Sequence, residues 1–140
     1  MGCFDVLGQV NYLAVLACTV AAMILSSLWY SPVLFGNAWM KAIGLKKEDI
    51  NKGDSTRAMF GSVILAFIGA LVLASFIIMT GTTNILMGVH IGFLAGIGFI
   101  APVMLMNALY ERRSIKAWLI HSFYQLILFM INGAILTAWK

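Results

Sequence analysis

The chain is poor in almost everything a soluble enzyme uses. Only 10% of its 140 residues are charged, against ~25% in an ordinary soluble domain. The acidic residues number 5, and none stands inside an apolar run, which disfavours proton coupling through a buried carboxylate. There are 2 cysteines. Cys3 lies in a tail and Cys18 inside an apolar run, so they do not read as a disulfide framework, and Cys18 reads as a buried or lipid-facing thiol. No nucleophile–base pair, glycine-rich phosphate loop or nucleotide motif is present. The two histidines, His90 and His121, fall near opposite ends of adjacent apolar runs, with no Cys or carboxylate at ligand spacing on either run. Neither a metal site nor a cofactor is expected. The N-terminus lacks the basic flank of a secretory signal, since residues 1–10 carry only Asp5. Met1-Gly2-Cys3 fails the myristoylation pattern, because position 6 is Val. The first apolar run is therefore kept as a true span.

What is abundant is hydrophobicity, at 62% of residues, and it comes in blocks. Four blocks are long enough to cross a hydrocarbon core of ~30 Å at ~1.5 Å per residue. The expectation is an all-α membrane protein, one integral domain over residues 1–140, with spans at about 10–30, 58–80, 85–109 and 117–139. Trp29 and Tyr30 end the first span as interfacial aromatics do. In the loop 31–57, Ser31-Pro32 can cap and start a short amphipathic interfacial helix over about 33–43, with Phe35, Trp39, Met40 and Ile43 near one face and Gly44 ending it. Leu45–Lys52 reads as a solvated helical turn, and Gly53-Asp54-Ser55 as a break that caps the second span. Gly81-Thr82-Thr83-Asn84 is a tight polar turn between antiparallel helices. Pro102 should kink the third span and free a carbonyl.

The net charge of +4 is concentrated in two loops, so it reports topology and not a nucleic-acid partner. Loop 31–57 holds Lys41, Lys46, Lys47, Lys52 and Arg57. Loop 110–116 holds Arg112, Arg113 and Lys116. Both are expected in the cytoplasm, with both termini outside.

The fourth span carries the most information. Between Lys116 and Lys140 there is no charge, yet His121, Gln125 and Asn132 fall within about 40° of one another on a helix. Such side chains cost several kcal/mol each against lipid and should face protein or water. His90 and Asn107 on the third span are further candidates for a polar path: Asn107 level with His121, His90 level with Asn132, and Trp29, Tyr30, Tyr110 and Trp118 around the inner mouth. Small residues repeat every fourth position in three spans: Ala14, Cys18, Ala22 and Ser26; Ser62, Ala66, Ala70 and Ala74; Gly88, Gly92 and Gly96. The last is a double GxxxG run, a close helix-packing signal. Three such ridges exceed what one bundle needs, and a homo-oligomer, dimer or trimer, is expected within the bilayer.

Asn11-Tyr12-Leu13-Ala14, then Trp29-Tyr30-Ser31-Pro32 through Leu34-Phe35-Gly36 to Trp39, then Asn107-Ala108-Leu109-Tyr110-Glu111-Arg112-Arg113, Trp118-Leu119-Ile120 and Gly133-Ala134-Ile135-Leu136 make a recognisable set. On them the chain resembles the small bacterial membrane proteins grouped as domain of unknown function 1761, over nearly its whole length. The usual Asn-Ala-Gly-Tyr segment of the fourth span stands here as His121-Ser122-Phe123-Tyr124. The resemblance implies a four-helix protein of the bacterial cytoplasmic membrane and carries no activity with it.

Three functions stay open. The first is a small oligomeric channel or transporter for an ion or small solute, using His121, Gln125 and Asn132. The second is a structural or accessory membrane protein without transport. The third is an enzyme acting on a lipid or quinone near Arg112 and Arg113, for which no catalytic residue can be named. Two other four-span types of this size do not fit. Small multidrug exporters need an acidic residue inside the first span, and membrane glutathione-handling enzymes need charged residues inside the second.

Overall fold

The computed structural model describes residues 3–44 and 52–139. The stretch 45–51, most of the expected solvated turn, lies outside them. The described residues form helices α1 (Cys3–Gln9), α2 (Tyr12–Trp29), α3 (Gly36–Ile43), α4 (Lys52–Thr80), α5 (Ile85–Ala95), α6 (Ala101–Tyr110) and α7 (Ile115–Ala138), with a π-helical turn, Gly96–Ile100, joining α5 to α6. Four segments, Tyr12–Trp29, Thr56–Thr80, Ile85–Tyr110 and Ile115–Ala138, are long and apolar enough to cross a membrane. No more than 33% of any of them is buried inside the chain. Leu16, Val20, Ile64, Leu65, Leu94 and Phe99 are among the side chains left facing outward. In water that surface would aggregate, and an apolar surround covers it.

α7 is the hub. It packs against α2, α3, α4, α5 and α6, while α2 also packs on α4. Ala14, Val15 and Cys18 of α2 meet Ala70, Leu73, Ala74 and Ile77 of α4 and Leu136 of α7 in the main apolar cluster. The α5–α7 pair is the closest approach. A Cβ built on Gly92 would lie 2.6 Å from the Phe129 carbonyl carbon, and one on Gly133 2.7 Å from that of Gly88. Only glycine lets the two backbones come that near. Most of the three small-residue ridges is thus used within one chain: Ala14, Cys18 and Ala22 are buried, as are Ala70 and Ala74, and the glycines sit on α7, while Ser62 is exposed. They are no longer a surplus that calls for a second copy.

Several local expectations change. Residues 3–9, read as a tail, form α1, which packs on α4 and buries Val6. Gly53-Asp54-Ser55 does not break the chain; it lies within the first turns of α4. One glycine near the start of a helix costs only ~1 kcal/mol, too little to break it. Pro102 has no N–H to bond residue 98, and the widening appears just before it. The Ala101 amide reaches back to the Gly96 carbonyl, so the helix passes the proline through a π turn. Gly44 and Gly81 do end their helices, with φ of 73° and 66°. Asn84 caps α5 as a turn residue should, accepting from the Leu86 amide at 2.9 Å. Asn11 caps α2 by accepting from Leu13 and Ala14, and its amide nitrogen donates to the Trp139 carbonyl at 3.2 Å. One side chain thereby fixes the start of α2 beside the end of α7.

Candidate functional site

The site is built by the turn that follows α2. Ser31 does not cap α3, as its sequence position had implied. Its hydroxyl donates backward to the Leu28 carbonyl at 2.7 Å, closing α2 instead. The Phe35 amide donates to the Trp29 carbonyl at 3.0 Å and the Gly36 amide to that of Ser31 at 2.9 Å. Residues 31–35 therefore fold into a compact turn, and α3 starts three positions later than expected, at Gly36. A Cβ on Gly36 would run into the carbonyl oxygens of Tyr30 and Ser31. The run Trp29–Gly36 is a tight reversal with a physical need for its last glycine. It brings α3 back onto α7.

The reversal assembles an aromatic cluster between α2 and α7. The Trp29 indole N–H donates to the Ile120 carbonyl at 3.0 Å, and the Tyr124 hydroxyl to the Ala22 carbonyl at 3.1 Å. The Tyr30 hydroxyl is hydrogen-bonded to Nδ1 of His121. The phenol donates when the imidazole carries its proton on Nε2. Tyr30 also lies 5.6 Å from Tyr124 and 5.3 Å, edge-on, from Trp39, between ring centroids. An interfacial helix, the end of the first span and the middle of the hub are thus held by one phenol ring.

Beneath this cluster, at the basic end of the bundle, lies a cavity of about 770 Å³. Its walls are Trp39, Ala42 and Ile43 of α3; Met104, Asn107 and Ala108 of α6; the turn Glu111–Ser114; and Ala117, Trp118 and His121 of α7. Trp118 donates to the Ala101 carbonyl at 3.0 Å, which clamps α6 to α7 along one side. In the turn, Arg112 has φ of 55°, a left-handed backbone that a glycine would adopt freely. Arg113 Nε lies 2.6 Å from Glu111 Oε2. Among the described residues Arg112 has no ion-pair partner. The volume falls in the range of sites for small organic ligands, ~300–1,000 Å³.

Asn107 and His121 border this one cavity. Gln125, a turn deeper on α7, is half-buried, and Asn132 is 3% exposed. The Asn132 Oδ1 is enclosed and, among the described residues, has no hydrogen-bond partner. His90 is not brought to this seam; it stands exposed on the outer side of α5. Tyr110, expected at the mouth, is 87% exposed and lies outside the cavity walls. Reading by spacing passed over Tyr124 as a site residue. A tyrosine inside an apolar run, three positions from His121, was the available signal, because a buried phenol needs a partner. The left-handed Arg112 had no signal in the sequence.

A family model described as a protein of unknown function, DUF1761, matches residues 13–137. No curated protein and no solved structure matches the chain.

Proposed function

The chain belongs to the DUF1761 family of proteins of unknown function, and from that premise we propose that it is a small membrane channel or transporter whose entrance is the cavity at its basic end. The observation that carries this reading is that His121, first residue of the α7 polar seam, is also a wall of that cavity. Gln125 and Asn132 continue the seam inward along the same face. The Tyr30–His121 hydrogen bond stands where the cavity ends, and in this reading it is the gate. Asn132 offers an acceptor that no protein group uses, so a solute or water would supply its partner.

The basic turn Arg112–Arg113 and Lys41 on α3 support, by the positive-inside rule, a reading in which the entrance faces the cytoplasm and both termini lie on the far side of a bacterial inner membrane. Self-association, as dimer or trimer, belongs to the same proposal. Its support is the outer side of α5, where His90 is exposed one turn before the exposed Leu94 and a second copy would shelter the imidazole.

The test is flux in proteoliposomes holding the purified protein, over a panel of ions and small solutes. Flux is expected, with Tyr30→Phe raising it and Gln125→Leu lowering it. Flux unchanged by His121→Ala, Gln125→Leu and Asn132→Leu together would reject the seam as the path. No flux for the whole panel would leave the accessory role.

A further inference from the structure

The cavity's chemistry narrows what it holds. One side is apolar, formed by Ile43 of α3 and Met104 and Ala108 of α6. Another part of the wall is the turn carrying both arginines. Glu111 also faces the cavity, but its carboxylate is engaged by Arg113. That leaves the Arg112 guanidinium as the one full charge on the wall without a counter-charge among the described residues. Arg112 sits there at a cost, since a left-handed backbone at a non-glycine residue is unfavourable by ~1–2 kcal/mol. The left-handed turn sets Arg112 on the cavity wall.

We infer that the cavity binds an amphiphile with a monoanionic head, a carboxylate or a phosphodiester, whose head pairs with Arg112 and whose apolar body lies along Met104 and Ala108. The Asn107 carboxamide, which bonds no described side chain, is placed on the same wall to donate to the head. A dianion would need a second free cation, and Arg113 is already committed. A zwitterionic head would set its cation against Arg112. This inference rests on the cavity being the entrance proposed above and names the class of molecule that occupies it.

The experiment uses the tryptophans as reporters, because Trp39 and Trp118 line the cavity. Purified protein in phosphatidylcholine nanodiscs is titrated with three nitroxide-labelled probes: stearic acid, phosphatidylglycerol and phosphatidylcholine. Tryptophan quenching should saturate at lower mole fraction for the two monoanions than for the zwitterion. Preference for stearic acid over phosphatidylglycerol identifies a free fatty acid as the source, and the reverse identifies a bilayer lipid. Arg112→Gly removes the charge while relieving the backbone, so the protein should stay folded. It should weaken the monoanion preference roughly tenfold, the loss of one charge-assisted hydrogen bond. Lys116→Ala, outside the cavity walls, should change it little. Equal quenching by all three probes would overturn the inference. So would an equal effect of Lys116→Ala and Arg112→Gly, because that is plain surface attraction to a basic interface. Binding without flux would retain this inference and remove the transport reading; flux without monoanion preference would do the opposite.

Discussion

Gly92→Ala tests whether the α5–α7 contact holds the bundle together. All three atoms nearest to an added Cβ are backbone of α7: the Phe129 oxygen, the Phe129 carbonyl carbon at 2.6 Å and the Met130 nitrogen at 3.1 Å. No side chain can rotate away. Bringing the carbonyl carbon to an ordinary contact of 3.4 Å needs the helices to part by at least about 0.8 Å, and the carbonyl oxygen, nearer still, needs more. A gap of ~0.5–1 Å forfeits a quarter to a half of each dispersion well along the seam. Overpacking of this kind costs ~1–3 kcal/mol, offset in part by the ~1 kcal/mol that alanine gains over glycine in a helix. Because the oxygen lies nearest of all, the upper end of that range applies, and the net expectation is a loss of about 2 kcal/mol. Gly61→Ala is the control, since nothing lies within 4 Å of a Cβ there; it should gain about 0.5–1 kcal/mol. Reversible unfolding in mixed micelles, followed by circular dichroism, would read a gap of about 2–3 kcal/mol between the two variants. Adding Gly133→Ala to Gly92→Ala should cost less than its single effect, because one parting of the helices serves both. Equal stability of Gly92→Ala and Gly61→Ala would refute the claim that α5 and α7 touch backbone to backbone.

Three further outcomes are expected. Asn132→Leu should raise the unfolding midpoint, since burying an unpartnered carbonyl costs about 1–3 kcal/mol; a lowered midpoint would mean that the amide has a partner. Gly36→Ala should push the 31–35 turn off its carbonyls and detach α3, seen as faster hydrogen–deuterium exchange over Gly36–Ile43; unchanged exchange would sink the explanation given for the motif. Trp29→Phe should cost about 1 kcal/mol, the net worth of one hydrogen bond, and shift the infrared carbonyl band of isotope-labelled Ile120; an unmoved band would argue that the bond is absent.

The sequence disclosed the four apolar helices because their signal is length and hydropathy, which act locally. It disclosed the two helix-ending glycines, Gly44 and Gly81, for the same reason: a left-handed residue is a local demand. It misplaced what depends on partners. Ser31-Pro32 has the composition of a helix start, yet the Ser31 hydroxyl finds the Leu28 carbonyl first and the helix waits for Gly36. The glycine run 88–96 reads as a close-packing face, but its spacing does not say which helix lies against it. Its counterpart on α7 is Gly133 and the Phe129 backbone, and a single glycine in an apolar run shows no period. His90 and Asn107 share a helix, and a one-dimensional reading set both on one path. The structure leaves His90 on the outside and puts Asn107 at the cavity, a difference that arises in part from the π turn between them, which rotates α6 relative to α5.

The position of α7 at the centre follows from the same energetics that make Asn132 worth explaining. Polar side chains on an otherwise apolar helix have to be sheltered, so the helix that carries them is the one the others surround, and α7 is the most buried of the four spans at 33%, against 11% for the third. Shelter alone is a sufficient reason for Tyr124, whose hydroxyl reaches the Ala22 carbonyl, and for His121, which bonds Tyr30. It is an insufficient reason for Asn132. A side chain that serves packing by hydrogen bonding must have something to bond, and among the described residues its Oδ1 has nothing. Leucine would fill similar space without stranding a polar atom, so packing favours its replacement. An amide that is costly where it stands is therefore the position at which replacement by leucine separates packing from any other role.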